Sequence, residues 1–229
     1  MRNDLTIYDQ TAEQWWSDDI RWVRTLKNMV PARMKWFDQF VTWEGTAVLD
    51  LGCAGGFMAE ALDDRGARVT GIDPAEDAIA AARRHADGRD IRYDVGVGEA
   101  LPYEDAAFDI VVCVDVLEHV ADLDAVLAEC ARVLKPGGWF LYDTINRNLL
   151  ASFAVVTVAE DILRLLPKGA HDPSMFIRPA DLVRRLDGAG FEVRAQAGLG
   201  PTGVNRRGDI TFGRVPVKAV QYMGAAQKS

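Results

Sequence analysis

Short apolar runs alternate with segments of helical spacing along most of the chain, from Thr46 onward. The apolar runs predict seven strands, at Ala47–Leu51, Arg68–Ile72, Ile91–Val95, Phe108–Val114, Trp139–Thr144, Phe191–Ala197 and Val217–Met223. The segments between them predict helices at Phe57–Asp64, Ala75–Ala86, Asp122–Leu134 and Pro179–Asp187. Strands that alternate with helices are typical of βαβ units, so the pattern predicts an α/β fold whose parallel sheet is covered on both faces.

Two further regions flank and interrupt this pattern. Residues 1–45 are rich in aromatic side chains without a strand signal, and the helical spacing of Trp15 and Trp22 predicts amphipathic helices. These helices would either cover the core as a cap or line a ligand pocket. Leu149–Leu166 predicts a helix that is apolar around most of its circumference, so it is either buried or faces lipid or a hydrophobic partner.

The chain shows no internal repeat and no flexible linker, so we predict a single domain over residues 1–229. Its parts would be a helical cap (1–45), a central core (46–146), a helical insert or lid (147–178) and a C-terminal helix with strands (179–229).

Composition narrows the class of protein. The 229 residues include 34 acidic and 26 basic side chains, and a net charge of −8 argues against nucleic acid as a partner. The first residues lead into no apolar signal segment, and Leu149–Ala159, the longest nearly apolar stretch, is about half as long as a membrane span. Cys53, Cys113 and Cys130 lie in apolar runs and are expected to be reduced core residues. We therefore expect a cytoplasmic protein, and contact with the inner face of the membrane stays open.

A glycine-rich turn follows the first predicted strand, which ends near Asp50. The sequence Gly52-Cys53-Ala54-Gly55-Gly56 leads from this strand into a helix. Glycines allow the backbone to approach a ligand closely, and in an open parallel sheet such a turn lies at the edge where ligands bind. A simple strand-to-helix connection fits the same residues.

A second acidic position strengthens the ligand interpretation. Asp73 lies 21 residues after Gly52, directly after the second strand, where a carboxylate can accept both hydroxyls of a ribose. It could also cap the helix that begins near Pro74. The turn is not Gly-x-Gly-x-x-Gly, and Asp50 would repel a phosphate but attract a sulfonium or an amine. The pattern thus favours an adenosyl ligand that carries positive charge.

Together these features resemble the class I S-adenosylmethionine-dependent methyltransferases, as do the segments 101–111, 117–120 and 134–139 in the same order. The resemblance implies a Rossmann-like, seven-stranded, mostly parallel sheet whose last strand is antiparallel, and S-adenosylmethionine as cofactor. Many members carry Asp-Ala where this chain has Val97-Gly98, so adenine would be met by backbone groups there. The cofactor-binding positions implied in this part of the chain are Asp50, Gly52, Cys53, Ala54, Gly55, Asp73, Pro74, Val97 and Gly98.

Further segments resemble the ubiquinone-biosynthesis O-methyltransferases over nearly the whole chain. They are 15–16, 30–33, 144–148, 159–172, 176–182 and 221–223. The resemblance implies methylation of a ring hydroxyl on a lipophilic catechol or quinol, with Arg33 and Val114 among the cofactor-binding positions. Arg33 would pair with the cofactor carboxylate, although a surface arginine fits as well. Val30 departs from the family's asparagine, which leaves a secondary-metabolite phenol or an N-hydroxy heterocycle as an alternative acceptor, and a non-catalytic binding module as a third hypothesis.

A second acidic group follows the fourth strand. Asp115, Glu118 and His119 match positions at which related quinone methyltransferases hold a divalent ion, and two carboxylates with an imidazole suit Mg²⁺ or a similar cation. Such an ion would lower the pKa of the acceptor hydroxyl. Alternatively, His119 acts alone as the base. Of the other histidines, we expect His85 to be solvated and His171 to line the acceptor entrance or hold the insert. The sequence does not predict an oligomeric state.

Overall fold

The computed structural model describes residues 3–229, and within that range one mixed sheet of eight strands forms the centre of the molecule. The strands are β1 (Ala47–Leu51), β2 (Arg68–Asp73), β3 (Ile91–Val95), β4 (Phe108–Cys113), β5 (Leu134–Ile145), β6 (Phe191–Val204), β7 (Ile210–Val215) and β8 (Gln221–Lys228). Their order in the sheet is β3-β2-β1-β4-β5-β8-β6-β7. Neighbours among β1 to β5 pair in parallel, and the pairs β5–β8, β8–β6 and β6–β7 are antiparallel. The predicted α/β fold is confirmed.

Helices cover both faces of this sheet. They are α1 (Thr6–Gln10), α2 (Arg21–Phe37), α3 (Phe57–Asp63), α4 (Glu76–His85), α5 (Leu123–Val133), α6 (Leu149–Ser152) and α7 (Pro179–Gly188). A short 3₁₀ turn lies at Ala12–Gln14, and a π-helical stretch at Phe153–Ile162 continues α6. Residues 3–45 contain helices and no strand, in agreement with the predicted cap. None of the helices within residues 3–229 combines the length and the apolar character that crossing a bilayer requires.

The side chains of β1 show how the two layers form. Val48 faces the core shared with α2, α3 and α4, whereas Leu49 and Leu51 face the core shared with α5 and α7. This alternation follows from the two-residue period of a strand, and the apolar character of both faces follows from the helices on both sides. The chain runs outward from β1 to β3 and then returns to β4 on the other side of β1. That reversal creates a crevice at the carboxyl ends of β1 and β4.

The strand count corrects the prediction of seven. Ile210–Val215 forms an eighth strand, β7, at the edge of the sheet, and it runs opposite to β6 just as β8 does. Its residues are half-buried, so its apolar signal is weak. It is held partly by α2, through an ion pair between Arg24 and Asp209 at 3.1 Å. The last strand begins at Gln221 rather than Val217 and is antiparallel as predicted.

The helical insert is buried on one side and exposed on the other, so both environments expected from its apolar sequence occur. Ala151, Val155 and Val156 are buried in a small apolar cluster with Phe176. Other apolar side chains of the same stretch are exposed, with relative exposures of 90% for Leu149, 57% for Leu150, 57% for Phe153 and 64% for Ile162. One side of the insert therefore packs on the protein while the other presents apolar groups to its surroundings.

Candidate active site

A cavity of about 440 Å³ opens at the carboxyl ends of β1, β2 and β4. It lies at the crevice that the strand order creates, and residues 96–99, which follow β3, form part of its wall. Most of the positions predicted to bind the cofactor line it: Arg33, Gly52, Cys53, Ala54, Asp73, Pro74, Val97, Gly98 and Val114. Asp50 and Gly55 lie outside this lining.

The glycine-rich turn leaves no room for side chains at two of its positions. Gly52 has a φ of +76°, and a Cβ there would lie 2.1 Å from Cγ2 of Val116. A Cβ on Gly55 would lie 2.2 Å from the Trp15 ring, and the carbonyl of Gly55 accepts a hydrogen bond from Nε1 of Trp16 at 2.9 Å. The turn is thus fixed on one side by the helical cap and on the other by the segment after β4.

Asp73 ties this turn to the next strand. Its Oδ2 accepts a hydrogen bond from the N–H of Ala54 and its Oδ1 accepts one from the N–H of Ala75, both at 2.9 Å. The second bond closes a turn ahead of α4, whose N-cap is Ala75 without a side-chain hydrogen bond, so Asp73 does not cap the helix as the alternative interpretation expected. Each carboxylate oxygen can accept a further hydrogen bond, so the same side chain can also receive hydroxyl groups from a ligand in the cavity. Burial raises the pKa of Asp73.

Asp50 is a buried carboxylate without a partner. It is 1% exposed, and neither of its oxygens makes a hydrogen bond within residues 3–229. Burial, together with the nearby charge of Asp73, raises the pKa of Asp50 to about 7. An unpaired carboxylate in such a place costs free energy unless a bound cation or donor compensates it.

Arg33 is not a surface residue. It is 2% exposed, and its Nε donates to Asp143 at 2.5 Å while its Nη2 pairs with Asp115. Asp115 has a φ of +55° and accepts a further hydrogen bond from Nε2 of Gln221 at 2.8 Å. Nη1 of Arg33 makes no hydrogen bond within residues 3–229, so one donor group of a cavity-lining guanidinium is left for a ligand.

The structure does not support the expected divalent-ion site at Asp115, Glu118 and His119. Asp115 is paired with Arg33, and Glu118 is buried away from the cavity lining, where its Oε2 accepts a hydrogen bond from Thr144 at 2.7 Å. Burial and the charge of Asp115 raise the pKa of Glu118 to about 8, which favours its protonated form at neutral pH. No three His, Cys, Asp or Glu side chains within residues 3–229 are grouped so that they could hold a metal. The donor set therefore does not fit Mg²⁺.

His119 lines the cavity and is neutral. Its Nδ1 lies 2.6 Å from Oδ1 of Asn3, and its Nε2 is buried without a partner within residues 3–229. Burial and the neighbouring His171, whose ring centroid lies 5.0 Å away, lower the pKa of His119 to about 3. A neutral imidazole with a bare nitrogen can accept a hydrogen bond from a hydroxyl group, but a pKa this low makes it a weak base in the unliganded cavity.

The two other histidines have different roles. His171 is buried and its Nδ1 lies 2.7 Å from Oε1 of Glu160, so it holds the insert to the loop that follows it. His85 is exposed, as expected, but it also stacks on Trp16 with ring centroids 3.5 Å apart, and its Nδ1 lies 2.6 Å from Glu60. These two contacts were not predicted. The three cysteines are buried and unpaired, as expected.

The wall contributed by residues 3–10 was not predicted residue by residue. Leu5, Thr6, Tyr8 and Asp9 line the cavity, and Oδ1 of Asp9 accepts a hydrogen bond from the N–H of Asp77 at the start of α4 at 3.0 Å. Tyr8 also packs edge-on against Trp22, with ring centroids 5.8 Å apart. The cap thus both covers the core and lines the cavity. Only its aromatic composition signalled this.

Comparison with known proteins agrees with the geometry. A family model described as a methyltransferase domain matches residues 49–142. A ubiquinone biosynthesis O-methyltransferase of Thiobacillus denitrificans is 39% identical over 199 residues, which is 86% of this chain and 85% of that protein. A protein of the same name from Pseudomonas entomophila is 40% identical over 199 residues, again 86% and 85% of the two chains.

Solved structures show the same fold. An S-adenosylmethionine-dependent methyltransferase of Thermotoga maritima superposes with a TM-score of 0.69, covering 99% of this chain and 100% of that one at 17% identity. A second one, from Methanosarcina mazei, gives a TM-score of 0.62 over 84% of this chain and 96% of that one at 23% identity. At these identities the likeness concerns the fold.

Proposed function

The chain belongs to the ubiquinone biosynthesis O-methyltransferase family, and on this premise we propose that it transfers a methyl group from S-adenosylmethionine to a ring hydroxyl of a catechol or quinol. The observation that carries the proposal is the single cavity that joins the glycine turn and Asp73 to His119, whose buried Nε2 has no partner within residues 3–229. Cofactor and acceptor would meet in one enclosed space.

The residues at the cofactor end fit S-adenosylmethionine. The lining carries four carboxylates and one guanidinium, an electrostatic balance that attracts a cation and disfavours an anionic dinucleotide. Asp73 would accept the ribose hydroxyls, the backbone at Val97 and Gly98 would meet the adenine, and Nη1 of Arg33 would donate to the cofactor carboxylate. Asp50, unpaired and buried behind the turn, would be compensated by the positive charge of the ligand. When bound, S-adenosylmethionine supplies a methyl group on a sulfonium that is already a good leaving group.

The work of the protein at the other end is to orient the acceptor and take its proton. Nε2 of His119 would accept a hydrogen bond from the hydroxyl and take its proton as the methyl group is transferred, when the oxygen becomes strongly acidic and a weak base suffices. Most of the acceleration would come from aligning the acceptor oxygen with the methyl group in a cavity lined by Tyr8 and Trp15. Asp115 would help to position the acceptor from its place beside Arg33.

A lipophilic acceptor is supported by the insert. Several of its apolar side chains are exposed, Leu149, Leu150 and Phe153 among them, and Arg147, Arg164 and Lys168 border the same stretch of sequence. Apolar groups bordered by cations suit the surface of an anionic membrane, from which a prenylated substrate would be collected. We therefore propose peripheral membrane contact through residues 149–166.

One observation favours a second acceptor class. Val30 lines the cavity at the position where the family's asparagine is expected, so this part of the wall is less polar than in the family pattern. A secondary-metabolite phenol or an N-hydroxy heterocycle would then be the acceptor, with the same cofactor chemistry.

The test compares two catechols that differ only in a prenyl tail. We expect product from both and a higher kcat/KM for the prenylated catechol, because the tail binds the exposed apolar side chains of the insert. Equal values would favour the second acceptor class. Absence of product from any phenol or quinol, with S-adenosylmethionine bound, would contradict the proposed function.

A further inference from the structure

Asn3 and His119 are joined by a reciprocal pair of hydrogen bonds. Nδ1 of His119 lies 2.6 Å from Oδ1 of Asn3, and Nδ2 of Asn3 donates to the main-chain carbonyl of His119 at 3.1 Å. The two residues lie 116 positions apart in the chain. The side chain of Asn3 is thus hydrogen-bonded to both the ring and the backbone of His119.

This pairing determines which ring nitrogen carries the hydrogen. The carbonyl of His119 can only accept, so the amide of Asn3 must present its NH₂ group there and its oxygen to Nδ1. An amide oxygen also only accepts, so Nδ1 must carry the proton. A neutral imidazole has one N–H, and Nε2 is therefore bare.

We propose that Asn3 is a positioning residue that holds His119 in the tautomer and orientation in which Nε2 can take the proton of the acceptor. This rests on the proposed function, because it assigns a use to Nε2. Nε2 is buried and lacks a partner within residues 3–229, and His119 lines the cavity, so the nitrogen that Asn3 leaves bare belongs to a ring beside the proposed site.

The backbone explains why asparagine suits this position. Asn3 has a φ of +68°, a conformation that few residues other than glycine, asparagine and aspartate adopt readily. Glycine has no side chain, and ionised aspartate has acceptors but no donor. Asparagine alone among these three supplies both the acceptor for Nδ1 and the donor for the carbonyl.

The insert holds Asn3 in place. The N–H of Asn3 donates to the carbonyl of Gly169 at 2.9 Å, and the N–H of Gly169 donates to Glu160 at 2.8 Å. Glu160 is buried and also accepts from the N–H of His171 at 3.0 Å. His119 is therefore positioned by a segment that is itself docked on the loop after the insert.

The experiment uses three variants of the full chain. Asn3→Gly keeps the backbone conformation and removes both hydrogen bonds of the side chain. Asn3→Asp keeps the acceptor for Nδ1 and tolerates the same φ. Asp4→Ala is the matched control, because Asp4 is exposed, lies next to Asn3, and its side chain hydrogen-bonds only Thr6 within residues 3–229.

Nitrogen NMR of ¹⁵N-histidine reports the tautomer directly, and the chain has only three histidines to assign. We expect the Nδ1–H form of His119 in the wild type, Asn3→Asp and Asp4→Ala, and a shift towards the Nε2–H form in Asn3→Gly. In Asn3→Gly, kcat for a catechol should fall about tenfold to hundredfold, with the affinity for S-adenosylmethionine unchanged by calorimetry. Asn3→Asp should recover most of this loss, and Asp4→Ala should keep the wild-type kcat.

Two results would overturn the proposal: an unchanged tautomer in Asn3→Gly, or a changed tautomer with the wild-type kcat. A fall in kcat of equal size in Asp4→Ala would also contradict it, since the effect would then come from general loosening of the segment. The tautomer is measured without an acceptor. A wild-type protein that methylates no acceptor would therefore contradict the proposed function, while the NMR spectra would still decide whether Asn3 sets the ring.

Discussion

The two ends of the cavity are built in different ways. At the cofactor end, a single turn and the strand beside it hold each other by local hydrogen bonds, such as that from the N–H of Ala54 to the carboxylate of Asp73, 19 residues further along the chain. At the acceptor end, the contacts join distant parts of the chain. Gln221 and Asp115 are 106 residues apart, and Asn3 and His119 are 116 apart.

Because of this difference, the two ends of the cavity should tolerate amino-acid substitution to different degrees. At the cofactor end, glycines occupy places that even a methyl group cannot enter, so the backbone there admits little change. At the acceptor end, side chains from the cap, the insert and β8 meet around Asp115 and His119, and each can change without disturbing the glycine turn. The first end suits a constant cofactor, and the second suits an acceptor that differs between enzymes.

The largest effect on turnover is expected at the acceptor end. His119→Gln removes the proposed base while keeping a polar side chain, so kcat should fall by about 10²–10⁴-fold. The affinity for S-adenosylmethionine should stay the same, because His119 belongs to the other end of the cavity. Steady-state kinetics and calorimetry test this, with His85→Gln as the control that leaves kcat unchanged. Wild-type turnover in His119→Gln would remove the histidine from the mechanism.

The glycine turn should show the largest effect on cofactor affinity. Gly52→Ala adds a Cβ that collides with Val116, so the affinity for S-adenosylmethionine should fall by more than about 100-fold. Gly88→Ala is a matched control, because Gly88 also has a positive φ, +87°, but a Cβ there meets nothing within 4 Å. Calorimetric titration of both variants separates the collision from backbone strain. Equal affinities would show that the close contact at Gly52 is not what shapes the site.

We expect the buried charge of Asp50 to lower the free energy of unfolding of the unliganded protein. Since the pKa of Asp50 is about 7 in the folded chain, above its unfolded value, the folded state binds the extra proton between about pH 4 and 7. The cost of burying the charge is therefore absent at pH 4 and complete above pH 7. Asp50→Asn should raise the free energy of unfolding by up to about 4 kcal/mol at pH 8 and by little at pH 4. It should also weaken binding of S-adenosylmethionine.

Denaturant unfolding at the two pH values measures this difference. A gain of the same size at both would mean that the charge of Asp50 is not the cause.

The insert should affect membrane binding and leave the cofactor site alone. Replacing both Leu149 and Phe153 by Ser removes exposed apolar area, so affinity for vesicles containing anionic phospholipid should fall by about tenfold. The control replaces Val204 and Val217, which are 66% and 64% exposed elsewhere on the surface, by Ser. Vesicle sedimentation measures both. Similar losses in the two double variants, or none in either, would contradict the proposed surface.

The smallest effect is expected from removing divalent ions. Because Glu118 is buried with a raised pKa, Glu118→Gln resembles its protonated form and should keep close to wild-type turnover. Methyl transfer by the wild type should likewise be unchanged in EDTA. Activity that disappears in EDTA and returns with Mg²⁺ would restore the metal hypothesis for Asp115, Glu118 and His119.

The parts that sequence reasoning located are those encoded by consecutive residues. The strands at β1 to β4, the glycine turn and Asp73 follow from local patterns, and the family relationship is confirmed by the relatives. The features that sequence reasoning missed depend on packing between parts of the chain that are distant in sequence. β7 is a half-buried edge strand held by α2, and no local pattern marks it.

At the acceptor end of the cavity, the positions of side chains were also not predictable from the local sequence. Glu118 and His119 are neighbours in the chain, yet one is buried against Thr144 and the other lines the cavity. The reason is that the chain forms a turn here, closed by a hydrogen bond from the N–H of His119 to the carbonyl of Val116 at 2.8 Å, so adjacent side chains point in different directions. The pairing of Asn3 with His119 had no sequence signal, because it arises only when the cap and the insert are both docked.

The most direct test supplies S-adenosylmethionine carrying a trideuteriomethyl group to the protein with a prenylated catechol, and locates the label by mass spectrometry and NMR. The account predicts one labelled methyl group per molecule, on a ring oxygen, formed at the same rate in EDTA. Label on carbon or nitrogen, or no transfer to any catechol or quinol while the cofactor is bound, would contradict it.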